Sequence, residues 1–170
     1  MQTVKDILKK RAKEAAKTVN IEEIEDGVDI ICFKMGSEVY AIEDRFVHAV
    51  YPYIQPTEVP CTPAFILGIV NIRGSFLSVV DLELILGLKK TEAAKEGFML
   101  LLSDEKMEFV IIAQEMLGEI RISKKSIQPV PQGMNILTKE LIDGVTQEGV
   151  IVLNGKRFLE DSKIIVHEEI

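Results

Sequence analysis

The 170-residue sequence lacks tryptophan and contains only two cysteines and two histidines, which restricts the chemistry open to it. Cys32 and Cys61 are too few for a disulfide framework and lack the spacing of a zinc site, so we expect two reduced thiols and no metal. Neither His48 nor His167 lies in a nucleophile signature. We therefore expect a non-enzymatic protein without a cofactor.

Long apolar runs and an excess of basic charge are also absent. The longest apolar run, residues 64–70, is too short to cross a bilayer, and the first 20 residues show a charged helical pattern instead of the apolar core of a secretory signal. The net charge of −7 disfavours nucleic acid, because phosphate contacts need clustered Lys and Arg. These features predict a cytoplasmic chain without membrane insertion or nucleic-acid binding.

Charge is unevenly distributed along the chain. Residues 1–20 carry a net charge of +4, so residues 21–170 carry −11. Apolar spacings of three and four predict an amphipathic helix over residues 3–19, within an N-terminal segment, residues 1–26, that ends in an acidic joint. Two roles stay open for the basic face: solvation, or docking on the acidic body or a partner. We expect the scattered carboxylates of the body, Asp143 among them, to be solvated.

After residue 26 the pattern predicts short strands separated by glycine and proline turns. We expect strands at residues 28–35, 38–43, 45–51, 66–72, 76–80, 98–102, 108–113, 119–123, 141–145 and 150–153. Asp81 and Gly87 suit the start and end of a short helix. Proline loops lead twice into glycine-bounded strands, near Gly68 and near Gly144. This echo predicts two similar small barrels, roughly residues 27–88 plus the tail and 97–155.

The most unusual segment runs from Val59 to Gly74. A proline-bracketed loop leads into an apolar strand that Asn71 and Arg73 interrupt. Residues two apart in a strand project from one face, and Gly74 allows a sharp turn directly after them. Arg73 is therefore either paired with a carboxylate such as Asp81 or offered outward to a partner.

With this segment at its centre, the sequence resembles the CheW-like chemotaxis coupling proteins. The resemblance covers about residues 28–160. Its motifs are Phe33…Gly36…Tyr40-Ala41-Ile42, Val47, Val59-Pro60, Thr62-Pro63-Ala64-Phe65-Ile66, Gly68-Ile69-Val70-Asn71-Ile72-Arg73-Gly74, Val79-Val80-Asp81-Leu82, Leu86-Gly87, Gln128-Pro129-Val130-Pro131 and Ile142-Asp143-Gly144-Val145. Three parts of the sequence depart from the family pattern. Ser78 replaces a usual Pro, residues 108–114 lack a usual Gly and Asp, and Asn154 replaces the Asp of a Leu-Asp-Leu turn.

The resemblance implies an all-β fold, with an N-terminal helix added, in which residues 27–170 form two intertwined five-stranded SH3-like β-barrels. It implies a non-enzymatic scaffold that couples the cytoplasmic tip of membrane chemoreceptors to the regulatory domain of a chemotaxis histidine kinase. Such an adaptor is cytoplasmic and is recruited to receptor arrays. The alternative is a diverged domain that binds a ligand or regulates another receptor–kinase pathway.

The resemblance also implies which residues contact partners. Asn71, Arg73 and Gly74 correspond to the motif whose arginine lies near the receptor-contacting groove. Val47, Phe65 and Ile66 fall in the first barrel, where the kinase domain is expected to dock. These six positions are the candidate partner-binding residues.

Overall fold

The structure is a computed structural model, and it describes residues 26–87, 95–130, 132 and 136–160. The predicted N-terminal helix, most of the polar connector near residue 90 and the end of the tail lie outside these described residues. No helix within them is long and apolar enough to cross a membrane.

The described chain forms two five-stranded sheets and a few short helices. The strands are β1 (Gly27–Met35), β2 (Glu38–Glu43), β3 (Val47–Pro52), β4 (Ile66–Ile72), β5 (Ser75–Val80), β6 (Phe98–Ser103), β7 (Glu108–Ala113), β8 (Glu115–Ser123), β9 (Ile142–Val145) and β10 (Ile151–Leu153). The helices are α1 (Leu82–Ile85), α2 (Ile136–Leu141) and α3 (Gly155–Glu160), with 3-10 turns at Asp44–Phe46 and Lys124–Ser126.

Each predicted strand is present, with some ends shifted. The strand predicted at residues 45–51 begins only at Val47, because Asp44–Phe46 forms a 3-10 turn. Strand β8 begins at Glu115, earlier than predicted, and Leu141 ends a helix instead of starting a strand. The predicted cap of α1 is confirmed, since Asp81 Oδ1 accepts a hydrogen bond from the Leu84 N–H at 3.2 Å.

The two sheets interleave along the chain. Sheet A has the strand order β8-β1-β2-β10-β9, and sheet B has the order β3-β6-β7-β5-β4. The chain therefore leaves sheet A after β2, builds all of sheet B, and returns at β8. The sheets do not follow the division at residues 27–88 and 97–155, because β3, β4 and β5 belong to one sheet with β6 and β7. The parallel pairs β2–β10 and β5–β7 join strands far apart in sequence, which local patterns do not reveal.

Both sheets are nevertheless built on one plan. The antiparallel hairpin β1–β2 in sheet A corresponds to β6–β7 in sheet B, and the hairpin β9–β10 corresponds to β4–β5. One parallel pair joins the two hairpins in each sheet, with Val152 beside Ala41 in sheet A and Val79 beside Val110 in sheet B. This correspondence accounts for the echo in the sequence.

Each sheet is closed into a small barrel by the loop that follows one edge strand. After β3, Thr57 bridges Ile69 of the opposite edge strand, and after β8, Gln128 bridges the residue that follows Gly144. The loops pass so close to two equivalent glycines that an added Cβ would lie 2.3 Å from Thr57 O at Gly68 and 2.1 Å from Gln128 O at Gly144. Glycine is therefore required where each barrel closes.

The core has three layers. The barrel formed by sheet A (barrel A) and the barrel formed by sheet B (barrel B) each contain an interior cluster of apolar side chains. A third cluster lies between the two sheets. In β6, Leu100 and Leu102 face the shared cluster, while Met99 and Leu101 face the interior of barrel B. Both faces of the central strands are thus buried, which explains their continuous apolar runs in place of alternation.

Candidate functional site

The candidate site lies at the tip of the hairpin formed by β4 and β5. Ile72 pairs with Ser75, so the turn consists of Arg73 and Gly74. Both have positive φ, 51° and 86° respectively, as the right-handed twist of a two-residue hairpin favours. The expectation that Arg73 shares a strand face with Asn71 is therefore wrong, because the strand ends at Ile72 and Arg73 occupies the turn.

Asn71 and Phe76 flank this turn on one face of the hairpin. They lie directly opposite each other in the β-ladder, so their side chains project to the same side. Asn71 Oδ1 accepts a hydrogen bond from the Gly74 N–H at 2.9 Å, which braces the turn. Phe76 is 71% exposed, far more than the other large apolar side chains described. The tip thus presents an aromatic ring beside polar groups.

Arg73 lies over an aromatic ring of the opposite edge strand. Its Cζ is 6.0 Å from the centroid of the Tyr51 ring, at the outer limit of a cation–π contact. Among the described residues, no carboxylate lies within ion-pair distance of Arg73. Asp81, the pairing partner that the sequence offered, is buried and caps α1. Arg73 is exposed, and its guanidinium lies above the Tyr51 ring.

This tip extends beyond what barrel closure needs. The equivalent hairpin of barrel A, β9–β10, connects its paired strands through residues 146–150, whereas residues 70–77 occupy the corresponding stretch in barrel B. The longer hairpin carries the exposed side chains of Asn71, Arg73 and Phe76. Because the shorter hairpin closes its barrel without such an extension, the tip is free to serve a contact.

The other three candidate residues lie in a separate region. Ile66 is buried in the cluster between the sheets, and Val47 and Phe65 are partly buried against that cluster. The Phe65 carbonyl accepts a hydrogen bond from the Asp81 N–H at 2.7 Å. The six candidates therefore divide into an exposed hairpin tip and a margin of the shared core.

Sequence reasoning missed Phe76, although the register could have revealed it. A two-residue Arg-Gly turn places Phe76 opposite Asn71, and hence on the same exposed face. Apolar neighbours favour a strand that begins at Phe76, and this pattern does not show that its ring is exposed.

The described residues contain no group of three or more His, Cys, Asp or Glu that could hold a metal ion. Both cysteines are free. Cys32 is buried, and burial raises the pKa of its thiol to about 12, so it stays protonated at neutral pH. Cys61 is exposed in the proline loop.

Replacing Asn71 with alanine is expected to lower the free energy of unfolding by about 1 kcal/mol, because the Gly74 N–H loses its acceptor. Asn71→Asp keeps an oxygen in place and serves as the matched control. Urea unfolding of the three chains measures the difference. Equal losses in both variants would show that the hydrogen bond does not brace the turn.

Comparisons with known proteins place this geometry in context. Residues 29–163 match the family model described as CheW-like domain. The Chemotaxis protein CheW of Helicobacter pylori is 30% identical over 132 residues, which cover 78% of this chain and 79% of that protein. Chemotaxis protein CheW of Bacillus subtilis is 27% identical, covering 78% and 85% of the two chains. Protein FrzA of Myxococcus xanthus is 28% identical, covering 79% and 87%.

A solved structure is similar as well. The scaffolding protein TtCheW from Thermoanaerobacter tengcongensis superposes with a TM-score of 0.65 at 25% sequence identity. The match covers 75% of this chain and 88% of that one.

Proposed function

This chain belongs to the CheW-like family, and from that membership we propose that it is a non-enzymatic cytoplasmic scaffold that couples chemoreceptors to a chemotaxis histidine kinase. Relatives named as chemotaxis proteins and the similar scaffolding structure support this role. In this proposal the adaptor joins membrane-associated receptor arrays by binding the cytoplasmic tip of the receptors and the regulatory domain of the kinase.

The observation that carries the proposal is the extended β4–β5 tip. It holds an arginine in a braced turn, with no described carboxylate near enough to form an ion pair. We assign the receptor contact to this tip, through Asn71, Arg73 and Gly74. An exposed arginine suits a carboxylate on a receptor helix, since guanidinium binds carboxylates in a fixed geometry.

The kinase contact is assigned to the second region. Val47 and Phe65 are partly exposed at the margin of the shared core and would supply the touching surface. Ile66 is buried beneath them and would support that surface by packing. Spatial separation of the two regions would let one chain hold both partners at once.

The test is binding of receptor-tip and kinase regulatory-domain fragments to the full chain and to Arg73→Ala. We expect the free energy of receptor binding to weaken by about 2 kcal/mol, which corresponds to a Kd about 30-fold higher. Kinase binding and the melting temperature should stay unchanged. Arg121→Ala is the matched control, because it removes an exposed arginine of the other sheet that pairs with Asp29.

Two results would count against the proposal. Unchanged receptor binding with a lowered melting temperature would make Arg73 a structural residue of the turn. A wild-type chain that binds neither fragment would instead favour a regulatory role in another receptor–kinase pathway.

A further inference from the structure

A cavity opens at one end of barrel A, away from the hairpin tip. Its volume is about 340 Å³, within the range of small-ligand sites. Apolar side chains from β1, β10 and the loop after β8 form its wall: Val28, Ile30, Val152 and Ile127. Ile30 and Val152 are almost completely buried, so the wall belongs to the barrel interior and not to an irregular surface.

Three charged side chains line the same cavity. Glu43 comes from the end of β2, Asp143 from β9, and Lys124 from the 3-10 turn at the rim. Glu43 is held by Arg45, whose Nε donates a hydrogen bond to Glu43 Oε2, and the Glu43 side chain is only 21% exposed. Two carboxylates and the ammonium of Lys124 therefore line the cavity beside its apolar wall.

The corresponding end of barrel B shows that these carboxylates are not required by the fold. The parallel pairs align Ala41 with Val110, so Glu43 corresponds to Ile112. Ile112 is 3% exposed and packs in the interior cluster of barrel B.

The second carboxylate has an apolar counterpart too. Gly144 corresponds to Gly68, since each lies opposite the valine of its parallel pair, and so Asp143 corresponds to Leu67. Both residues occur where the ladder register shifts, and Leu67 packs against the barrel B cluster. Barrel B thus places apolar side chains at the two positions where barrel A has acids around a cavity.

The electrostatic environment of Asp143 is consistent with its position at the edge of an apolar cavity wall. Although its side chain reaches solvent, desolvation raises the pKa of its carboxyl, and the nearby charge of Glu43 raises it further. A hydrogen bond from Asn154 Nδ2 at 2.8 Å and the charges of Arg157 and Arg45 act in the opposite direction. A carboxylate in such surroundings gains from a bound cation.

We propose that this cavity binds a primary ammonium group carried on an aliphatic stem, with the ammonium between Glu43 and Asp143 and the methylene groups against the apolar wall. Lys124 at the rim repels a second positive charge, so the site favours a monoamine over a polyamine. This site is separate from the partner contacts proposed above and does not depend on them.

Two sources can supply this chemistry. One is a soluble alkylamine. The other is a lysine of residues 1–20, a segment with five lysines and a net charge of +4. Asp26, the first described residue, is held beside Lys124, because its carbonyl accepts a hydrogen bond from the Lys124 N–H at 3.1 Å.

The test is an amide NMR titration of the full chain with n-pentylamine, with 1-pentanol as the uncharged comparison. We expect saturable shifts of cavity amides with the amine and at least tenfold weaker binding of the alcohol. Glu43→Gln with Asp143→Asn should weaken amine binding at least tenfold, while Glu108→Gln, an exposed acid of sheet B, should leave it unchanged.

A second double variant keeps the test decisive if charge removal disturbs the fold. Glu43→Ile with Asp143→Leu copies barrel B, and should abolish amine binding while raising the melting temperature. Retained binding in either double variant, or alcohol binding as tight as amine binding, overturns the proposal.

Whether the ammonium group comes from a soluble amine or from the chain itself is tested with a variant of the 170-residue chain. In this variant, glutamine replaces five lysines: Lys5, Lys9, Lys10, Lys13 and Lys17. If a lysine of that segment occupies the cavity, this chain should bind n-pentylamine at least tenfold more tightly than the wild type. Equal affinity indicates a soluble amine. Absence of saturable shifts in both chains overturns the proposal.

Discussion

Replacing Gly68 with alanine is expected to cost about 3 kcal/mol or more of folding free energy, because the barrel closes over this residue. An added Cβ would lie 2.3 Å from Thr57 O and 2.7 Å from Thr57 C. Both atoms are backbone and cannot rotate away. The φ of Gly68 is also +147°, which side-chain-bearing residues rarely adopt. The substitution should therefore break the two hydrogen bonds, each 2.9 Å, between Thr57 and Ile69.

Gly118→Ala is the matched control. Gly118 also has a positive φ, 113°, but an added Cβ there meets no atom within 4 Å. It should cost about 1 kcal/mol from backbone strain alone. Urea unfolding of both variants separates the cost of crowding against Thr57 from the cost of backbone strain. Equal losses of folding free energy would mean that the close approach of the proline loop does not require glycine at position 68.

The positions of the strands along the chain could be predicted from sequence, whereas the pairing of distant strands in the sheets could not. Hairpins such as β1–β2 follow from two apolar runs and a Gly-first turn, which are local signals. The parallel pair that aligns Val79 with Val110 has no local signal, because its strands are separated by a long connection. The echo around Gly68 and Gly144 indicated two similar barrels. Their interleaving has no local signal in the sequence: the family resemblance implied it, and the strand pairing shows it.

The candidate site shows a similar division. Arg73 could be singled out from sequence because Asn71 and Arg73 interrupt an apolar strand directly before Gly74. Its contact with Tyr51 could not, since that ring belongs to the opposite edge of the sheet. Asp143 was expected to be a solvated carboxylate, because nothing in its neighbours reveals that it corresponds to Leu67 of the other barrel. That correspondence follows only from the strand pairing of the two barrels.

The departure at Asn154 illustrates how a changed motif can retain its structural role. In barrel B, Asp81 begins α1 and its N–H donates to the Phe65 carbonyl. In barrel A, the Asn154 N–H donates to the Leu141 carbonyl at 2.8 Å, and its side chain accepts from the Arg157 N–H at 3.0 Å. An amide oxygen caps a helix as well as a carboxylate does, so this substitution leaves the turn intact.

Phe109→Ala is expected to cost about 3–5 kcal/mol, because Phe109 is completely buried in the cluster between the two sheets. Both barrels contribute to this cluster, so unfolding either barrel exposes apolar surface of the other. The Phe109→Ala chain should therefore unfold in a single transition, with both sheets melting at the same lowered temperature. Phe98→Ala is the control, since Phe98 lies at the end of the neighbouring strand, is 38% exposed, and should cost about 1 kcal/mol.

The measurement is a thermal melt followed by amide NMR signals from β1 in sheet A and from β7 in sheet B. In wild type and in Phe109→Ala, the two sets should share one midpoint, as two-state unfolding requires. If β7 melts early while β1 keeps the wild-type midpoint, the barrels are independent units and the shared cluster does not couple them. A single midpoint means that a partner bound to either barrel stabilises both, because binding to the folded state shifts the whole equilibrium. The shared core would then couple the hairpin tip of barrel B to the cavity of barrel A in stability.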